Sequence, residues 1–227
     1  MKENTEEKNV EIGNVITKTE VFVKENQKKI IIVILAIVAI IGGYVALQSL
    51  YFEPREQQAA EEMFAAENWF KQDSLQLALD GNAKYMGFVD IIDQYGSTKS
   101  GRLAKYYAGI ASLKLGKYQD AIDYLKSYNG KDTFTKVLAV IATGDAEYEQ
   151  GNVKEAISLY EKAARMEDNY VTTPFALFKA GFAYQTEGNY AKAAELYREI
   201  KQNYPQSTEY RNIDKYTFCC RKRFMSC

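Results

Sequence analysis

A chain of 227 residues, with 29 lysines and arginines against 30 aspartates and glutamates, has room for one ordinary domain plus appendages. That balance lacks the basic excess with which nucleic-acid binders neutralise phosphates, so no nucleic-acid partner is expected. Histidine is absent, which removes the commonest general acid–base and metal ligand, and only three prolines interrupt an Ala-, Tyr-, Lys- and Glu-rich composition typical of all-α chains.

Residues 1–29 carry six lysines and six glutamates and read as a polar, flexible tail. From Ile30 to Phe52 there is no charge at all. At about 1.5 Å per residue this run gives roughly 34 Å of helix, enough for a hydrocarbon core of about 30 Å. Tyr44 and Tyr51 fall towards its far end, where rings suit the headgroup boundary. The run is too long for a signal-peptide core and no small-x-small site follows it, so an uncleaved transmembrane helix is expected. Lys18, Lys24, Lys28 and Lys29 precede it closely, against Arg55 and Lys71 after it. The positive-inside bias therefore puts the N-terminus in the cytoplasm and the larger domain outside.

Residues 53–216 read as repeats. A degenerate first unit opens with a helix over about 56–70, has an insertion around Asp73–Asn82, and closes with Phe88 to Thr98. Three clearer units follow. Gly109, Gly144 and Gly181 are each followed after seven residues by Gly116, Gly151 and Gly188, then after five by Ala121, Ala156 and Ala193, and after four more by Leu125, Tyr160 and Tyr197. Small residues recurring at such offsets mark helix pairs whose backbones approach closely, with the middle glycine in the turn where φ is positive. A short capping helix is expected over Ser207 to Tyr216, with Ser207 or Thr208 as its N-cap.

These units resemble the tetratricopeptide repeat family. Gly181 to Pro205 follows its pattern almost throughout, through Tyr184, Gly188, Tyr190, Ala193, Tyr197 and Tyr204, whereas Ser112 and Glu147 stand where the third unit has Tyr184. The resemblance implies an all-α, TPR-like helical-hairpin solenoid of about four hairpins plus a cap, which binds proteins. A single span followed by such repeats is also similar to a membrane-anchored subset, the ancillary subunit of the bacterial Sec translocon and its relatives. That likeness implies a place near the export channel and in periplasmic chaperone networks.

Carried onto this sequence, the family's concave face receives Tyr106, Ile110 and Lys114, then Ile141, Asp145 and Tyr148, then Phe178, Phe182 and Gln185. An apolar groove with a polar rim suits a protein partner. The alternative for Phe178 and Phe182 is cover by the terminal helix, and for Ile141 a place in the core. Tyr106, Ile141 and Phe178 stand where some relatives carry a lysine and asparagine clamp for acidic C-termini, so that clamp is not expected.

No catalytic residues, cofactor site, metal site or small-molecule substrate are expected. The carboxylates Glu61, Glu62, Asp90 and Asp93 fit solvated helix faces, and the glycines obey the repeat period instead of forming a phosphate loop. Residues 217–227, TFCCRKRFMSC, fit nothing before them. S-acylation, a disulfide and a thiolate metal site are the functional readings. Prenylation is excluded because Phe224 stands fourth from the end, and the favoured reading is a tail foreign to the fold.

The expected protein is thus a single-pass, inner-membrane scaffold of the bacterial cell envelope with its repeat domain in the periplasm. Its expected partners are translocon subunits, periplasmic chaperones or exported clients. The alternative is a membrane-bound regulator whose cytoplasmic tail tethers or sequesters a soluble signalling partner.

Overall fold

A computed structural model describes residues 26–224, which are helical with no strand among the described residues. The chain divides into two compact units, residues 1–54 and 55–227. The expected tail falls mainly on residues 1–25, outside the described residues, while Asn26 to Lys29 already open a helix.

That helix, α1, runs over Asn26–Lys71, with a π-helical stretch at Gln48–Phe52. In the first unit its apolar side chains are exposed on every face, Leu50 to 79%. The uncharged run leaves no polar face to turn towards water. It is long and apolar enough to cross a membrane.

The second unit starts with a matched pair of charges. The Arg55 guanidinium donates to the Gln94 carbonyl and lies 5.5 Å from the Tyr95 ring centroid, at the C-terminal end of α3 (Phe88–Tyr95). Glu56 accepts the Lys99 and Ser100 amides and the Ser100 hydroxyl at 2.7 Å, at the N-terminus of α4 (Lys99–Lys114). Each charge complements the partial charge of the helix end it meets. Burial works against the Glu56 carboxylate, but the Ser100 hydroxyl and the two amides outweigh it and hold its pKa below the usual value. A depressed folded-state pKa adds stability above the unfolded value of about 4.3, and this stability is lost as pH falls through the folded one. Glu56→Gln should therefore lower the unfolding midpoint at pH 7, with the gap to the parent closing below about pH 4. A gap unchanged between pH 7 and pH 3 in thermal scans would contradict this.

Between α1 and α3 the expected insertion contains a short helix, α2 (Leu75–Asp80), because Leu75, Ala78 and Leu79 form one apolar face. They join Met63 and Ala66 of α1, Phe88 and Ile91 of α3, and Ala104 and Ala108 of α4 in one core cluster. Three hairpins follow: α4 with α5 (Tyr118–Ser127), α6 (Thr133–Glu149) with α7 (Val153–Met166), and α8 (Thr172–Thr186) with α9 (Tyr190–Asn203).

The three turns have one construction. Gly116, Gly151 and Gly188 take φ of +74°, +85° and +78°. The amide after each glycine reaches back five residues, Lys117 to Ser112, Asn152 to Glu147 and Asn189 to Tyr184, each at 2.9 Å. These are Schellman ends, which need a residue without Cβ at the left-handed position. At the crossings, Ala121, Ala156 and Ala193 are fully buried. A Cβ placed on Gly109, Gly144 or Gly181 would come within 2.5–2.7 Å of Leu125, Tyr160 or Tyr197 respectively. The sequence period is thus a packing period.

The C-terminal end differs from the sequence expectation. Ser207 Oγ accepts the Tyr210 amide at 3.3 Å and stabilises a 3-10 turn, Glu209–Asn212, while Thr208 caps nothing. The last helix, α10, runs over Ile213–Phe224, so the helical rhythm does not stop at Tyr216. Ile213, Tyr216, Thr217 and Cys220 recur at i, i+3, i+4 and i+7 on one face, with Ile213 and Cys220 fully buried. The side chains of Cys219 and Cys227, on which the acylation and disulfide readings also depend, lie outside the described residues.

Candidate protein-interaction site

A groove of about 540 Å³ opens across the three hairpins. Asp145, Tyr148 and Glu149 line it from α6, Phe178, Lys179 and Phe182 from α8, Tyr160 from α7, and Tyr216 from α10, with Leu113 and Tyr118 at the α4–α5 turn. Spacings of three and four residues put each set on one helix face.

Its polar geometry centres on Asp145. One carboxylate oxygen accepts the Tyr160 hydroxyl at 2.7 Å and pairs with Lys179 Nζ at 2.8 Å. Lys179 also lies 5.0 Å from the Phe175 ring centroid. Burial, then the charge and hydrogen bond of Asp145, push the Tyr160 hydroxyl far above the ordinary tyrosine value. The aromatic part is fixed from both sides. Tyr148 hydrogen-bonds Thr186 at 2.9 Å and lies 6.2 Å from Phe182, and Phe178 meets Tyr216 edge-on at 4.9 Å. Phe182 is 46% exposed, a large ring held open to water.

Four sequence-derived positions, Asp145, Tyr148, Phe178 and Phe182, line the groove together. The other five do not. Ile141 is 2% exposed and lies in the core with Val137, Ala156 and Tyr160, because its face of α6 turns towards the hairpin interior. Gln185 accepts the Tyr197 hydroxyl at 2.8 Å and donates to Cys220 Sγ at 3.0 Å, which ties it to α9 and α10. Tyr106 and Ile110 pack against Leu125, Ala139 and Ala142 between the first two hairpins. Lys114 is exposed and pairs with Asp73 at 3.3 Å. Phe178 is half-buried under Tyr216, so the terminal helix covers it in part. Leu113, Tyr118, Glu149, Tyr160, Lys179 and Tyr216 line the groove without having been assigned to it from the sequence. Glu149 was within reach of the sequence reading, since it stands one helical turn after Asp145.

Tyrosine-to-carboxylate hydrogen bonds join elements elsewhere in the stack: Tyr184 to Glu161 at 2.8 Å and Tyr204 to Asp168 at 2.6 Å. Burial first, then the Asp168 hydrogen bond, raise the Tyr204 hydroxyl to about 12. A raised folded-state pKa means stability fully present below the unfolded value of about 10 and lost as pH rises through the folded one. The unfolding midpoint should hold between pH 7 and 9 and fall above pH 10, less steeply in Tyr204→Phe. A midpoint unchanged up to pH 11.5 would contradict this.

Stacked helical hairpins with one shared groove define a helical-repeat solenoid, a class that works by holding other proteins. The tetratricopeptide repeat family model matches residues 141–208, which span most of the second and third hairpins and four of the groove's sequence-derived residues. That match and the all-helical architecture give the second unit a tetratricopeptide-like helical-solenoid fold. No curated protein matches the chain.

Proposed function

We propose that this chain is a membrane-anchored scaffold that holds a segment of a partner protein in the groove between α6, α8 and α10. The observation that carries this reading is Phe182, held exposed beside Tyr148 on the repeats, in a chain whose apolar stretch from Ile31 to Phe52 has no buried residue. The excess of lysines before the span favours a repeat domain outside the cytoplasm. The likeness of one span plus repeats to the ancillary translocon subunit favours a role at the bacterial cell envelope, accessory to protein translocation or periplasmic chaperoning.

The test is photo-crosslinking in intact cells, with a photoreactive residue at Tyr148 or Phe182 of the full chain and at exposed Lys154 as control. Groove positions should give discrete adducts containing translocon subunits, periplasmic folding factors or exported clients, and the control should not. Equal labelling from the control would remove the groove reading. Adducts made only of cytoplasmic proteins would remove the envelope reading.

A further inference from the structure

The groove's charges are not balanced. Of its three charged lining residues, Lys179 is already paired with Asp145 at 2.8 Å. Glu149 is exposed, one helical turn from Asp145 on the same face of α6, and forms no ion pair among the described residues. It is also the last residue of α6, where a carboxylate opposes the negative end of the helix dipole. The matching position of the first hairpin carries Lys114, which suits the dipole, and that of the third carries Thr186. A residue that works against its own helix, in a groove it lines with Tyr148 and Phe182, is a local conflict of the kind found at binding sites.

From this charge pattern we infer that the groove selects a peptide segment in which a lysine or arginine stands next to an apolar side chain. The inference rests on the scaffold reading and names its partner's chemistry. A cation entering the groove meets the faces of Tyr148 and Phe182 together with the Glu149 carboxylate, and both attract it. An acidic side chain there meets Glu149 and the α6 C-terminus, both repulsive. A neutral segment strips water from Glu149 without replacing it. The apolar neighbour packs on Leu113 and Phe178, and the volume of about 540 Å³, in the range of pockets for drug-sized ligands, has room for these two side chains.

The experiment is fluorescence anisotropy with the full chain in nanodiscs of zwitterionic lipid and four labelled octapeptides. One has a single arginine between leucines. The others replace that arginine by glutamate or glutamine, or the leucines by serine. The arginine–leucine peptide should bind about tenfold more tightly than the glutamate form, weaken with salt, and lose affinity without its leucines. Glu149→Lys should reverse the arginine–glutamate order. That variant should fold, since Glu149 holds nothing inside the chain and lysine suits the helix end. An unchanged order in Glu149→Lys, or glutamate or glutamine binding as well as arginine, overturns the inference. So does a groove filled by a second copy, seen as a dimer by light scattering that Phe182→Ala abolishes. If no peptide binds while Tyr148 and Phe182 still give discrete cellular adducts, the selectivity fails and the scaffold reading stands. If neither occurs, both fail.

Discussion

Gly144→Ala is expected to lower the stability of the repeat unit by about 1–2 kcal/mol, although alanine favours helix over glycine by about 1 kcal/mol. The steric term wins because the new Cβ would lie 2.7 Å from Tyr160 Cε1. Tyr160 cannot swing aside freely, since its hydroxyl is held by Asp145 at 2.7 Å. In a unit of this size the change should move the thermal midpoint by about 2–4 °C per kcal/mol. A double-mutant cycle isolates the cause. In a Tyr160→Ala background the ring is gone, and Gly144→Ala should become neutral or stabilising. Gly151→Ala gives the contrast: that glycine has open space around it and φ of +85°, so its loss should be the same with or without Tyr160. A Gly144→Ala cost that is equal in both backgrounds would contradict the close crossing.

Removing α10 should cost more. A chain ending at Asn212 loses Ile213, which is fully buried, and uncovers Phe178 and Tyr197, which meet Tyr216 at 4.9 and 5.8 Å. Full burial of a large apolar side chain is worth about 1.5–3 kcal/mol, so losing the fully buried Ile213 and the half-buried Tyr216 comes to about 2–5 kcal/mol. Solenoids need a terminal element to cover the last hairpin, and α10 is that cover here. A chain ending at Tyr216 keeps Ile213 and Tyr216 and loses the buried Cys220 with its contact to Gln185, together about 2 kcal/mol. Urea titrations of the two truncations in detergent should separate them widely. Equal midpoints, both well below that of the full chain, would show that Ile213 and Tyr216 do not close the core and would make the last turns of α10 the cover instead.

The hairpins were legible in the sequence because glycine and alanine are informative where backbones touch. Gly144 and Gly181 have no substitute at their crossings, and Gly116, Gly151 and Gly188 have none in their turns, so the period survives while other positions drift. The groove was legible only in its centre. Asp145, Tyr148, Phe178 and Phe182 line it together, whereas Tyr106 and Ile110 pack in the seam between the first two hairpins. Repeat arithmetic gives the position along each helix but not which of those positions a neighbouring hairpin covers. Ile141 shows the same limit within one helix, one turn before Asp145 yet facing the core. Tyr216 and Cys220 belong to a helix whose face repeats only from Ile213 to Cys220, too short a run to read through the cysteine and basic residues around it.

Anchoring, compactness and orientation meet in protease accessibility of carbonate-washed membranes and of spheroplasts from cells expressing the full chain. The chain should stay in the carbonate pellet, and protease added outside the inner membrane should leave a resistant fragment close to residues 55–224. Release by carbonate, or appearance of that fragment only when protease reaches the cytoplasmic side, would contradict a repeat scaffold hung outside the membrane from the helix that contains residues 30–52.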